Sequence, residues 1–276
     1  MSLPSNIVWF NGEFVSGKIA LEAGDRGLTL GDGIFETIAV YHSKAVWLEE
    51  HVARMQAAAA ELGIGFDAKA LHSAILAVLQ KSSGEAEALR VTLTRGVVPG
   101  RALSGTGLEP RLLLTLAKFN TADSSEGISL ITSTIRRNET APSSRLKTLS
   151  YIDAISAARE VAGRADDALM LNCAGQVAST TIGNLFVLKG TTLLTPALNQ
   201  GILPGIARGK VLGQAKGLGL EPREPMLTLG DIHAADAVFR TNSLRLVTQV
   251  TMLDGKSLRQ SSIQFIRDRL VSLREE

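Results

Sequence analysis

Arg145-Leu146-Lys147-Thr148-Leu149-Ser150-Tyr151 is the stretch around which the chain is organised. It is a polar hinge carrying one lysine just before an amphipathic run. Behind it Ile152, Ile155, Ala158 and Val161 recur at helical spacing, which predicts a helix over about 149–163 with those four on its apolar stripe. Lys147 then sits where a loop enters a helix, with apolar residues on both sides. Partial desolvation lowers an amine's pKa and makes it nucleophilic, which suits Schiff-base chemistry. Spacing alone leaves a solvated surface lysine as the plain alternative. The surrounding residues decide between the two.

Downstream, Gly201-Ile202-Leu203-Pro204-Gly205-Ile206-Ala207-Arg208 places glycines and a proline at the start of a helix near 204–216. First-turn amides at Gly205, Ile206 and Ala207 would offer N–H donors and positive dipole to an anion. The Walker pattern is absent, so no nucleoside triphosphate is implied. Arg240-Thr241-Asn242-Ser243 ends a strand and offers further donors; a hydrogen-bonded turn explains it equally well.

Upstream, Ile7 to Val15 reads as a hairpin with Asn11-Gly12 at its turn. Asp25 to Gly33 reads as a glycine-punctuated loop, followed by a β-rich run from Ile34 to Val40. Leu48, Val52, Met55, Ala59 and Leu62 mark a helix ending at Gly63, and Arg54 falls beside that stripe. It either pairs with Glu50 one turn earlier or points inward to bind an anion. A second helix is expected over 68–81 and strands over 89–94 and 112–117. The loop Arg95 to Arg101 between those strands suits a mobile carboxylate clamp.

The polar segment from Phe119 to Gly127 reads as a linker, dividing a small domain (1–120) from a larger one (121–276) that carries Lys147. Strands near 129–135, 168–172, 184–188 and 237–240 alternate with helices, so the second part is a mixed sheet and the fold is α+β.

Composition narrows the function. Hydrophobic and charged fractions of 45% and 20% are those of an ordinary globular chain. A net charge of +2 with scattered basic residues gives no case for nucleic acid or a membrane surface. The single cysteine, Cys173, excludes an internal disulfide, suits the cytoplasm and is expected as a small buried residue without a role. His42, His51, His72 and His233 match no metal-ligand spacing, and no metal is expected. A nucleophilic lysine, an anion cradle and an inward arginine together suggest a phosphorylated aldehyde, pyridoxal phosphate.

In this order the motifs resemble those of fold-type IV pyridoxal-phosphate enzymes. That group holds branched-chain aminotransferases, D-amino acid aminotransferases and 4-amino-4-deoxychorismate lyases. Asp25-Arg26-Gly27 and Gly31-Asp32-Gly33-Ile34-Phe35-Glu36-Thr37 are similar to its N-terminal signature, Arg54 to its phosphate-binding arginine and Lys147 to its Schiff-base lysine. Leu171-Asn172-Cys173-Ala174-Gly175-Gln176-Val177 and Asn184-Leu185-Phe186 resemble its cofactor-facing strands, and the stretch from Gly201 to Arg208 resembles its phosphate cup. The resemblance implies a small N-terminal α/β domain, a larger C-terminal mixed-sheet domain and pyridoxal 5'-phosphate held by Arg54, Lys147, Ser179, Asn184, Gly205, Ile206, Ala207 and Asn242. It implies substrate contacts from Phe35, Thr37 and Arg101, and a homodimer in which the loop near Arg101 serves the partner's site.

One departure stands out. The family places a glutamate five residues before the asparagine of Asn-Leu-Phe, facing the pyridine nitrogen; here that residue is Ser179. A hydroxyl holds a pyridinium less well than a carboxylate does, which weakens the electron sink that transamination needs most. Phe35-Glu36-Thr37, Arg136-Arg137-Asn138 and Asn242 resemble the 4-amino-4-deoxychorismate lyase branch, and Leu103 stands where D-amino acid aminotransferases have a histidine. The expectation is that lyase, releasing pyruvate and 4-aminobenzoate. The alternatives are a transaminase of a small amino acid or amine, and a non-catalytic homologue.

Overall fold

The computed structural model describes residues 7–16, 18–98, 103, 109–120 and 127–275. Arg101 and most of the expected linker lie outside them. The chain forms two compact units: Met1–Thr121 with Lys147–Ser150, and Ala122–Leu146 with Tyr151–Glu276.

The first unit opens with the hairpin β1 (Ile7–Phe10) and β2 (Glu13–Val15), turned by Asn11 and Gly12 at φ 44° and 107°. The stretch expected as a glycine-punctuated loop contains a five-residue helix instead, α1 (Arg26–Leu30). Asp25 Oδ1 accepts from Gly27 N and Leu28 N to start it, and Gly31 stops it in the left-handed region, at φ 67°. Then come β3 (Gly33–Tyr41), β4 (Lys44–Ala45), α2 (Leu48–Leu62), α3 (Ala68–Leu79), β5 (Glu87–Thr94) and β6 (Arg111–Lys118). The strands form a six-stranded antiparallel sheet in the order β2-β1-β6-β5-β3-β4. Ile34, Ile38, Leu89, Val91 and Leu114 from the sheet are buried, as are Met55 and Ala59 of α2 and Leu71 and Ile75 of α3. Each large side chain so buried stabilises the unit by about 1.5–3 kcal/mol.

β4 pairs only with Val40 and Tyr41, so the edge of β3 stands bare at its start. The hinge around Lys147 fills it. Phe35 N donates to Lys147 O (2.9 Å), Leu149 N donates to Gly33 O (2.9 Å), and Ile34 bridges Thr148. This pairing is why Lys147–Ser150, which follows residue 121 in sequence, groups with the first unit.

The second unit contains β7 (Ile128–Thr132), α4 (Pro142–Arg145), α5 (Ile152–Val161), β8 (Asp167–Leu171), β9 (Val177–Thr180), β10 (Asn184–Lys189) and β11 (Thr192–Leu194). It continues through α6 (Ile206–Ala215), β12 (Glu221–Arg223), α7 (Leu229–His233), β13 (Ala237–Asn242), β14 (Leu246–Leu253), β15 (Lys256–Ser257) and α8 (Gln264–Glu275). Its nine-stranded mixed sheet runs β12-β11-β10-β13-β14-β7-β8-β9, with β15 beside β14. A pairing of Ser179 on β9 with Asn184 on β10 closes β10-β13-β14-β7-β8-β9 into a ring. Leu130, Leu169, Leu185, Val187, Val238 and Val250 belong to one apolar cluster of this unit.

α5 corrects the expected stripe. Ala154, Ala157 and Val161 are buried, the last two packing with Ala168 and Met170 of β8, whereas Ile152 and Ile155 are 67% and 51% exposed and Ala158 is exposed. Both rows have helical spacing; the alanines win because small side chains let the helix axis approach the sheet. Cys173, expected buried, is exposed in the turn after β8. That turn is held by backbone bonds, so no apolar burial is asked of it. No helix among the described residues is long and apolar enough to cross a membrane.

Candidate active site

Alternation along β3 puts Phe35 and Thr37 on one face of the sheet and Ile34, Glu36 and Ile38 on the other. The Lys147 Nζ lies 4.4 Å from the Phe35 ring centroid, and the Arg90 guanidinium carbon lies 3.9 Å from the same point. Arg90, exposed on β5, is the register partner of Thr37. Phe35, Thr37, Arg90 and Lys147 thus share one patch, with an aromatic face that holds cations electrostatically.

Glu36 is buried against α2, where His51 and Arg54, three residues apart, face the same way. Arg54 grips the Glu36 carboxylate with two bonds, Nε to Oε1 at 2.8 Å and Nη2 to Oε2 at 2.6 Å, and His51 Nδ1 lies 2.7 Å from Oε2. Burial pushes the Glu36 carboxyl up, but the His51 hydrogen bond and the Arg54 charge outweigh it and hold the group at about 2. Burial pushes the His51 imidazole down, and the charges of Arg54 and Lys147 push the same way, against the pull of Glu36. A carboxylate only accepts, so the neutral ring donates through Nδ1–H, which leaves the buried Nε2 without a partner. Arg54 points inward, as one of the two sequence readings has it.

Arg95 is not the clamp its loop suggested. Its Nε and Nη2 bond Asp32 at 2.7 and 3.1 Å, and the remaining donors hold the carbonyls of Leu62 and Gly63 at the end of α2. It anchors the helix.

In the second unit, register aligns Ser179 with Asn184 and Asn184 with Thr241 across β9, β10 and β13. The Asn184 amide donates to Leu203 O (2.9 Å), tying the strand to the turn before α6. α6 starts at Gly205 with no side-chain cap, so its first-turn amides at Ile206 and Ala207 are open to an anion. Arg208 pins the same turn through Pro196 O (3.0 Å) and Glu224. Thr241 Oγ1 is buried with no partner. Ser179 Oγ donates to Thr180 O (2.9 Å), and Asn242 Oδ1 accepts from Leu244 N and Arg245 N as a local turn cap. Beside this row Asp167 and Arg240 form a buried ion pair at 2.6 Å, with Thr181 also on Asp167.

These observations fit a phosphorylated aldehyde. In the second unit an uncapped helix start and an orphaned buried hydroxyl suit a phosphate; in the first, a lysine held on an aromatic face suits an aldehyde. Sequence reasoning did not single out Arg90, Glu36 or His51, and it named Thr241 only within the donor cluster from Arg240 to Ser243. Arg90 and Thr241 stand on strand positions whose facing is legible only once register is known. His51 repeats at helical spacing with Met55, a signal that a polar residue in an apolar stripe carries.

The chain belongs to the amino-transferase class IV family, whose family model matches residues 33–253. This family is one of pyridoxal-phosphate-dependent enzymes, aminotransferases and lyases among them. The D-alanine aminotransferase of Bacillus licheniformis is 30% identical over 256 residues, covering 91% of this chain and 89% of its own. The aminodeoxychorismate lyase of Bacillus subtilis is 28% identical over 260 residues, covering 90% and 87%. The branched-chain aminotransferase of Thermoproteus uzoniensis, solved with norvaline, superposes with a TM-score of 0.90 at 27% identity, covering 99% of this chain and 96% of that one. The architecture is therefore the mixed α+β fold of type IV aminotransferases.

Proposed function

We infer that this enzyme is a pyridoxal-phosphate-dependent lyase of the 4-amino-4-deoxychorismate type. Ser179 carries the reading: the position implied to face the cofactor nitrogen holds a hydroxyl, and its proton is committed to Thr180 O. When bound, pyridoxal phosphate supplies an aldehyde that condenses with amines and a ring that withdraws electrons. A ring without a carboxylate partner withdraws less, and an elimination that makes an aromatic product depends on it least. Arg90 supports the same substrate. A dicarboxylate needs cations, and Arg90 stands on the face that carries Phe35 and Lys147.

The roles divide among the residues. Lys147 Nζ would hold the cofactor's aldehyde and would act as the base that takes the proton from the amine-bearing carbon of the substrate. The bond from the ring to the enolpyruvyl oxygen then breaks, and that proton returns to the departing enolate. Pyruvate and 4-aminobenzoate account for every atom. In the first unit Arg54 would take the phosphate and Phe35 holds the lysine; in the second, the first turn of α6 and Thr241 offer donors that suit an anion, and Asn184 holds that turn. A homodimer completed by the loop around Arg101 belongs to this proposal.

Incubation with 4-amino-4-deoxychorismate should release 4-aminobenzoate and pyruvate in equal amounts, and borohydride should fix a cofactor-sized mass on the Lys147 peptide. Transamination of D- or L-amino acids without 4-aminobenzoate release would replace the lyase by a transaminase.

A further inference from the structure

His51 is a polar residue in the apolar stripe of α2, 1% exposed, and nothing in the proposed chemistry uses it. Both of its ring nitrogens are informative. Nδ1 donates to Glu36 Oε2, the same oxygen that Arg54 Nη2 holds, and Nε2 has no hydrogen-bond partner among the described residues. A buried lone pair without a partner costs stability, so packing does not explain the choice of histidine. What the ring does supply is one N–H at one place. Without it, Glu36 Oε2 has a donor from Arg54 alone, and the carboxylate can rotate about its last bond, carrying the guanidinium with it. With it, both oxygens are pinned and the plane of the Arg54 guanidinium is fixed.

We propose that His51 is a positioning residue, a neutral Nδ1–H donor that locks Glu36 and through it aims Arg54 at the phosphate of the cofactor. This rests on the reading above that Arg54 holds that phosphate. The chain Nδ1–H to carboxylate to guanidinium lies wholly within β3 and α2, so it is set before any ligand arrives. Its aim is the phosphate contact; its electrostatic coupling to Lys147 falls on the aldehyde end, which pyridoxal 5'-phosphate and pyridoxal share.

The test compares two probes on the full-length apoprotein, pyridoxal 5'-phosphate and pyridoxal. Both carry the same aldehyde, so whatever Lys147 contributes cancels in the ratio of their affinities, and the ratio reports the phosphate contact. His51→Leu should lower that ratio about tenfold, the worth of one charge-assisted contact. His51→Asn, whose amide N–H falls near the place of Nδ1, should restore it to within about threefold of the parent. A purely structural role for His51 would weaken both probes together and leave the ratio alone. A folded His51→Leu protein with the parent ratio, beside an Arg54→Leu protein whose ratio collapses, overturns the proposal and leaves the phosphate role of Arg54 intact. An unchanged ratio in both variants overturns that role itself. Should His51→Leu not fold, nitrogen-15 NMR of the parent protein decides: the neutral Nδ1–H tautomer is expected, and the Nε2–H tautomer, the one free imidazole prefers, overturns the proposal.

Discussion

Asn184 Oδ1 occupies the space that a β-carbon on residue 205 would need, 2.0 Å from its ideal position. Gly205 is therefore required by its neighbour, since its own backbone, at φ −67°, suits any residue. Gly205→Ala should displace the Asn184 amide from Leu203 O and spoil the start of α6. A loss of about 1–3 kcal/mol in urea unfolding is expected, with pyridoxal 5'-phosphate bound more weakly. Parent-like values of both would show that the turn yields without consequence.

Glu36 has a carboxyl held at about 2 against an ordinary 4.5. A depressed acid stabilises the fold fully above its unfolded value, and that contribution is lost as pH falls through the folded one. The pH-dependent part of the stability difference between the parent and Glu36→Gln should be about 3 kcal/mol, fully present above about pH 5. It should shrink steadily towards pH 2. Urea titrations at a series of pH values measure it, and a gap that ignores pH would refute the assignment.

Asp167 and Arg240 pair at 2.6 Å, both almost wholly buried. Removing one partner strands the other charge. Arg240→Leu alone, or Asp167→Asn alone, should cost about 3–5 kcal/mol, whereas an apolar pair at both positions should recover much of it. Thermal melts of the two single variants and the double variant form the test; additive losses would mean the two residues act independently.

Arg90 stacks on Phe35 but is exposed, so its worth to folding is small. Arg90→Leu should change stability by less than about 1 kcal/mol and raise KM for a dicarboxylate substrate about tenfold, with Arg90→Lys between. Equal effects on a monocarboxylate amine such as D-alanine would remove Arg90 from substrate recognition.

Features fixed by neighbours in sequence were legible there. Asn11-Gly12 announces its hairpin, Gly63 ends α2, and the placing of Arg54 beside an apolar stripe allowed an inward side chain. Features fixed across the chain were not. Ser179 and Asn184 are near in sequence, yet their pairing closes a ring of strands whose registers no local pattern states. Glu36 stands in a signature motif but looks like the solvent side of a strand until α2 brings His51 and Arg54 to it. Ile152 outranks Ala154 in hydrophobicity, so a pattern built on greasiness chose the wrong face of α5 where close approach decided it.

The main chain of Lys147 and Leu149 hydrogen-bonds to the start of β3, where the sheet would otherwise end in unpaired amides and carbonyls. Bare strand edges recruit other strands, and this one is apolar. The segment that bears Lys147 thus acts as a plug against aggregation. A fragment stopped near residue 121 would lose the plug along with the amine and should precipitate or form fibrils. Changes to the main chain at Lys147–Leu149, such as Thr148→Pro, would then appear as insolubility before any turnover could be assayed.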